Sequence, residues 1–394
     1  MNTKLGLSIL LSMIAFQGFA QNSEYQMKGN DKVTTIDFLS SYYNQDGDNA
    51  AVTGGVGTEE LTDFANVLIV NLPFDSINSI SVTLGGEYYT SASTDNIDNN
   101  PSSASSKDLR QYGTVSYSRK NLRRGETYSA KVSGSTEYDY TSVSFGLSFA
   151  KEFNEGNSEL SLNAQMFRDN WKFFLPVELR GKTFVPTSLR NSYNFQATFA
   201  QVLNQRMQFS ISAEAIYMEG LLSTPFHRVY FNDQSLPDIE RLPDSRLKIP
   251  VGIRFNYFPM DALVIRSYYR FYVDDWGLQA HTFSLETPVK VNDWLTLSPF
   301  YRFNTQNAVD YFAPFSEHSS TEEFYTSDHD LSGLTSHKIG LGFRIAPLYG
   351  ISRNKWFHKK TLQFKNLEVR TAYYKRSTDL TAFIVSMGLN FEIK

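Results

Sequence analysis

The chain of 394 residues contains no cysteine. Disulfides, thiol nucleophiles, cysteine-ligated zinc and a lipidated N-terminal cysteine are therefore all excluded. Beyond the first twenty residues there is no apolar run close to the ~18 residues that a membrane-crossing helix needs. Excess charge of one sign is missing too. The balance of 37 Lys and Arg against 41 Asp and Glu gives a net charge of −4, and so no nucleic-acid footprint. No Gly-x-Ser-x-Gly elbow, His-Glu-x-x-His pair or haem attachment motif is present, and the six histidines are scattered. The expectation is a non-enzyme without cofactors, although barrels that build sites on loop tips keep an enzyme as a third reading.

What is present begins with a leader. MNTKLGLSILLSMIAFQGFA has one early lysine, an apolar centre from Leu5 to Phe16 and a small-x-small ending at Gly18 and Ala20. Residues 1–20 are read as a secretory signal peptide, leaving 21–394 as a single domain. That domain is rich in aromatics, with 23 Tyr and 31 Phe, and much of the remainder is Ser, Asn and Thr.

Its dominant pattern has period two. In LKIPVGIRFNYF, Leu247, Ile249, Val251, Ile253, Phe255 and Tyr257 share one face, opposite Lys248, Gly252, Arg254 and Asn256. One face suits lipid and the other water. Segments from Val143, Met207, Leu295, His337 and Phe383 repeat the alternation over about ten residues, enough for a tilted strand to cross a bilayer. A soluble sandwich also alternates, but three features argue against it.

First, short turns at Phe74–Asn78, Asn154–Asn157, Asn204–Arg206, Pro259–Asp261 and Val291–Asp293 are interspersed with long polar loops, including Asn44–Glu59, Ser91–Leu109, Trp171–Arg190, Glu219–Ser245 and Asn307–Leu334. Second, Tyr and Trp gather at strand ends, as girdles do at a membrane interface. Third, Ser386, Gly388, Phe391 and Ile393 follow the polar-x-Gly-x-x-aromatic-x-hydrophobic order of a terminal sorting signal read by barrel assembly machinery. The expected fold is all-β: a transmembrane antiparallel outer-membrane β-barrel of about sixteen strands, with short periplasmic turns and long extracellular loops. Strand 2, Leu61 to Pro73, alternates poorly and leaves the count open by a pair. The expected location is the outer membrane of a Gram-negative-type bacterium.

Candidate chemistry lies in the loops and on the inward face. NQDGDNAAVTGGVGTEEL carries Asp46, Asp48, Gly54, Gly55, Gly57, Glu59 and Glu60. Glu59 and Glu60 stand where a phosphate loop needs lysine. Asp46 and Asp48 start an EF-hand pattern that Ala50 and Gly57 break, so a surface or a constriction is the better reading, ahead of a non-EF calcium site. EHSSTEEFYTSDHD offers His318, Glu322 and His329 as candidates for a divalent metal, against the plainer reading of solvated loop residues. No metal is assigned.

With the apolar face toward lipid, Lys248, Arg254, Arg266, Arg270, Arg302, Lys338, Arg344, Arg370 and Arg376 point into the lumen, opposed clearly by Glu286 and Glu368 alone. The N-terminal half points in Ser161, Asn163, Gln165, Ser210 and Ser212 instead. Such a basic wall needs a counter-charge. Small anions passing through would supply it, as would the acidic loops folding inward as a plug; a purely structural ladder with Tyr and Glu is the third reading. At the rim, Asp274, Asp275 and Trp276 close a tight turn, and Arg270 with Asp274 suggests a salt bridge or a ligand mouth. The basic connection Tyr349–Lys365 is a candidate dock for a periplasmic partner or a plain hairpin extension.

YYRFYVDDWGLQAHT (Tyr268–Thr282), PFYRFNTQNAVDYF (Pro299–Phe312), DGDNAAVTGGVGTEEL, LLSTPFHRVYF, QVLNQR and TSDHDLS resemble a bacterial outer-membrane family, domain of unknown function 3570, over nearly the whole chain after the leader. The resemblance implies a barrel in contact with outer-membrane lipids, without a settled activity. It also implies neighbours that include a small lipoprotein-like protein, a thioredoxin-like protein and a flavin transferase. The leading expectation is a conduit for small anionic solutes; the alternative is a non-conducting scaffold or receptor for protein partners beside extracytoplasmic redox proteins.

Overall fold

The computed structural model describes residues 33–90, 107–172, 175–176, 179, 187–355 and 360–394. The leader lies outside them, as does most of the Ser91–Leu109 loop. Sixteen antiparallel strands close into a barrel. They are β1 (Thr34–Gly47), β2 (Leu61–Pro73), β3 (Asn78–Tyr89), β4 (Asp108–Asn121), β5 (Glu126–Thr136), β6 (Tyr140–Phe153), β7 (Ser158–Lys172) and β8 (Thr187–Asn204). The second half comprises β9 (Met207–Gly220), β10 (Ser245–Met260), β11 (Leu263–Asp274), β12 (Gln279–Glu286), β13 (Leu295–Gln306), β14 (Leu334–Ile345), β15 (Thr361–Arg376) and β16 (Leu380–Ile393). Strand 2 is complete despite its weak alternation, because its inward side carries Leu61, Val67 and Ile69 as well as Asp63 and Asn71.

Each strand pairs with its sequence neighbours, and β16 pairs with β1 from Thr34↔Ile393 to Gly47↔Leu380. Closure leaves no unpaired sheet edge, which is what hydrocarbon demands of a β structure. In the terminal strand Ser386 and Gly388 face inward opposite Ser41 and Leu39, while Phe391 faces out and stacks on Phe364 at 4.9 Å.

Period two decides the two surfaces. Outward positions are apolar and exposed all round, as at Val143 (63%), Leu147 (52%), Ile253 (45%) and Ile339 (62%). An apolar belt of this extent far exceeds the patch a water-soluble monomer exposes, so it is a lipid-facing surface. Exposed Tyr42, Tyr88, Tyr193, Tyr217 and Tyr269 ring one end, and Tyr117, Tyr128 and Trp294 lie toward the other.

Because the strands are antiparallel, all the short turns named above fall at the end where β1 begins and β16 finishes. The long loops fall at the other end, together with three short turns at 137–139, 275–278 and 377–379. At that end Ser352–Lys355 pairs with the start of β15, so the basic connection is in part a hairpin extension. Its residues 356–359 lie outside the described residues.

Candidate functional site

The inner wall has two chemically different halves. Following the register across β10 to β15, one row reads Arg254, Tyr268, Ser284, Arg302, Lys338, Tyr374, and the row above it Gly252, Arg270, Thr282, Asn304, Ser336, Arg376. The corresponding row on β4 to β9 reads Ser118, Ser129, Ser148, Asn163, Gln196, Glu214. These bond to one another: Ser118 and Ser129 share a 2.8 Å hydrogen bond, Ser148 donates to Asn163, and the Gln196 amide donates to Glu214 at 2.9 Å. Most of this row is thus bonded along the wall, although on β8 the inward Asn194 Oδ1 is buried without a partner among the described residues.

The basic half is not uniformly paired. Arg370 lies 3.0 Å from Glu286 and 3.2 Å from Glu368, with Arg266 3.9 Å from Glu286. Arg370 also stacks on Phe300 at 4.6 Å, and Arg254 on Tyr268 at 5.4 Å. Among the described residues no carboxylate comes within 4.0 Å of Lys248, Arg302, Lys338 or Arg344. Arg270 rests against Tyr272 at 5.9 Å, and the ion pair expected between Arg270 and Asp274 does not form. Asp274 instead accepts from Arg246 Nε at 3.0 Å and from Tyr272 at 2.7 Å, while Arg246 lies 4.1 Å over the Trp276 ring. The reason is position: Lys248 is the direct partner of Asp274 at the top of the β10–β11 ladder and Arg246 lies diagonally beyond it, whereas Arg270 is two pleat repeats lower on Asp274's own strand.

Above this wall, three loops pack into one cap: residues 48–60, 221–244 and 307–333. Arg228 donates to the Val52 carbonyl at 2.7 Å, Phe231 bridges His318, and Arg241 bridges Tyr325. Val229, Phe231 and Tyr325 form a small core in which Val229 is wholly buried. The glycines of the first loop permit this approach. Gly54 and Gly55 hold φ of 85° and 87°; a Cβ on Gly54 would lie 2.6 Å from the Tyr230 ring, and one on Gly55 2.7 Å from the Ser327 carbonyl oxygen.

The cap reaches the wall on opposite sides. Phe226 packs on Tyr140 and Trp171 of β6 and β7, and Asp330 pairs with Arg376 of β15. Strands β7 and β15 are eight apart in a ring of sixteen, so the cap spans the diameter of the mouth. Trp276 and Leu278 of the rim turn join the same packing through Leu242 and Val309.

The sequence-predicted loop residues distribute as follows. Asp46, Asp48 and Glu60 are exposed, and Glu59 is half-buried and faces the Arg376 side. His318 is buried, its Nδ1 2.6 Å from Glu322 and its Nε2 3.0 Å from the Thr326 carbonyl; His329 packs edge-on to Phe312 instead. Among the described residues the triad that converges within 4.8 Å is His227, Glu240 and Asp328, two of which no spacing rule could join to the third. Also missed was Arg190, buried with Asp169 at 2.6 Å and set 5.6 Å over Trp171.

Among curated proteins no match is found. Solved structures give remote likenesses: a bacterial polysaccharide outer membrane secretin (10% identity, 90% of this chain and 97% of that one, TM-score 0.45) and OccAB1 from Acinetobacter baumannii (10%, 93% and 98%, TM-score 0.43). The siderophore receptor PirA from Acinetobacter baumannii aligns at 12% identity and TM-score 0.45 over 88% of this chain but 53% of its own length. The sequence pattern described as "Protein of unknown function (DUF3570)" matches residues 75–382, including the rim turn, the 221–244 and 307–333 loops and the basic wall, and the chain belongs to that family.

Proposed function

We propose that the protein is an outer-membrane conduit for small anionic solutes whose outer mouth is held shut by its own loops and opens on their displacement. The observation that carries this reading is the pair Arg302 and Lys338, adjacent inward cations without a carboxylate within 4.0 Å among the described residues. A barrel of ~16 strands leaves room for an aqueous channel. Cations lining its inner wall, facing a largely uncharged polar wall, attract anions and leave them weakly enough held to move on. The reading involves no catalysis.

The mouth-spanning cap favours a second reading, in which the barrel is a closed scaffold or receptor. In that case the cap's outer face, or the Tyr349–Lys365 connection, engages protein partners beside extracytoplasmic redox proteins.

The test is planar-bilayer conductance of the refolded protein, beside a variant with residues 308–332 replaced by a two-residue turn. Gln306 and Leu334 are already ladder partners, so such a turn can close the strands. The conduit reading expects low conductance from the intact chain and steady, anion-preferring conductance from the shortened one. A shortened barrel that is folded and silent, or one that prefers cations, would sink it and leave the scaffold.

A further inference from the structure

His227 is 4% exposed, Glu240 2% and Asp328 7%, and they come from two different loops of the cap. The Nδ1 atom of His227 lies 3.5 Å from Glu240 Oε1 and 3.9 Å from Asp328 Oδ2. Among the described residues it has no hydrogen-bond partner. The two carboxylates are held by other groups from behind. Glu240 accepts from the Thr326 hydroxyl at 2.6 Å and the Thr224 amide at 2.7 Å, and Asp328 Oδ1 accepts from the Asp330 amide at 2.9 Å. Nδ1 of His227, a carboxylate oxygen of Glu240 and Oδ2 of Asp328 thus lie within 4.8 Å of one another.

From this geometry we propose that His227, Glu240 and Asp328 form a binding site for one first-row divalent cation, of which zinc is the type, stapling the 221–244 loop to the 307–333 loop.

Distances favour a cation over a proton. A proton on Nδ1 would draw one oxygen to about 2.7–3.2 Å, and neither oxygen is so close. Two ligand atoms each ~2.1 Å from a tetrahedral metal are separated by about 3.4 Å, which the 3.5 Å gap to Glu240 matches and the 3.9 Å gap to Asp328 approaches with a small closing movement. Charge agrees: a dication offsets carboxylate charge that burial would otherwise leave uncompensated. The donor set is one imidazole and two carboxylates with no sulfur, which selects a borderline metal rather than copper(I) or an all-oxygen calcium site. Second contacts of the kind that orient metal ligands are already in place, from Thr224, Thr326 and the Asp330 amide. A fourth position remains for water, so the site is a staple with three protein ligands. It does not depend on whether the barrel conducts.

The experiment uses the refolded, tag-free full barrel in detergent, stripped with a chelator, then equilibrated with zinc, nickel or calcium chloride. Bound metal is counted by plasma mass spectrometry, and affinity is measured by calorimetry. The expectation is close to one zinc or nickel per chain and no calcium, with His227→Ala and Asp328→Asn each weakening binding at least about tenfold. His337→Gln, on the outer face, should leave binding unchanged. Because a variant can misfold, the wild-type zinc K-edge spectrum gives a separate readout: a nitrogen and oxygen shell with a single imidazole. Substoichiometric zinc in the wild type, a shell with two or more imidazoles, or affinity unmoved by His227→Ala would overturn the assignment.

Discussion

Arg302 and Lys338 are direct partners across the β13–β14 ladder, two cations side by side on the inner wall. Like charges opposite one another on a ladder are destabilising, so a fold that keeps them has a reason other than its own stability. On the proposed conduit reading, anions passing through the lumen relieve the repulsion. Replacing both with glutamate is expected to shift the reversal potential in a salt gradient toward cation preference, and Arg270→Glu with Arg302→Glu to do so less completely. The effect should fade at high salt, where the screening length falls from about 10 Å at 0.1 M to about 3 Å at 1 M. Unchanged selectivity in both doubles would remove the basic wall from any transport role.

Arg376 pairs with Asp330 where the 307–333 loop meets β15, and the arginine side chain is 6% exposed against 28% for the aspartate. Breaking a buried pair by removing one partner costs about 3–5 kcal/mol, and the partial exposure of Asp330 puts this pair at the low end. Asp330→Asn should loosen that side of the cap while the barrel stays folded. Frequent opening events in bilayer recordings of Asp330→Asn, against rare ones in the parent, are the expected result.

The first loop is attached by glycine geometry. A side chain in the left-handed region costs about 1–2 kcal/mol, and in Gly55→Val it would also meet the Ser327 carbonyl at 2.7 Å. The expected consequence is a cap open roughly five- to thirty-fold more often. Arg228, buried beneath Val52, reports on it: trypsin should cut after Arg228 faster in Gly55→Val than in the parent. Equal rates would mean that the 48–60 loop does not hold the cap down.

The barrel was legible because period two repeats in nearly every strand, and a misjudged residue in one strand is corrected by its two neighbours. Strand 2 shows how: Leu61, Val67 and Ile69 face inward against the usual rule, and only pairing with β1 and β3 fixes its register. The same alternation puts the basic residues of β10 to β15 on one face of their strands. The cap was not. Its contacts join residues as far apart as Gly55 and Ser327, or His227 and Asp328, and no local period records such a meeting. The Asp274 partner was misread because Arg246 reaches it from the adjacent strand, while only Arg270 was near on its own. The double glycine and the dense His, Asp and Glu of the last loop were the available hints, and each marked a place without naming what it touches.

Arg190 and Asp169 supply the sharpest stability test. Arg190 donates to Asp169 through Nε at 2.9 Å and Nη2 at 2.6 Å, and through Nη2 to the Tyr140 hydroxyl at 3.2 Å. Ser142 donates to the other carboxylate oxygen at 2.7 Å. The pair lies on the inward side beneath Phe226, where Trp171 and Tyr140 seat the cap. Two effects compete. The Coulomb attraction is strong in so dry a place, but so is the cost of taking both charges from water. Asp169→Asn removes the attraction and leaves the cost of burying the cation, so a loss of about 3–5 kcal/mol is expected. The double change Arg190→Met with Asp169→Leu removes both, and should lose much less. Urea unfolding in lipid vesicles, followed by tryptophan fluorescence with Trp171 at the site, separates the two. If the double variant lost as much as the single, packing of the guanidinium between Tyr140 and Trp171, and not its charge, would be what holds this side of the mouth together.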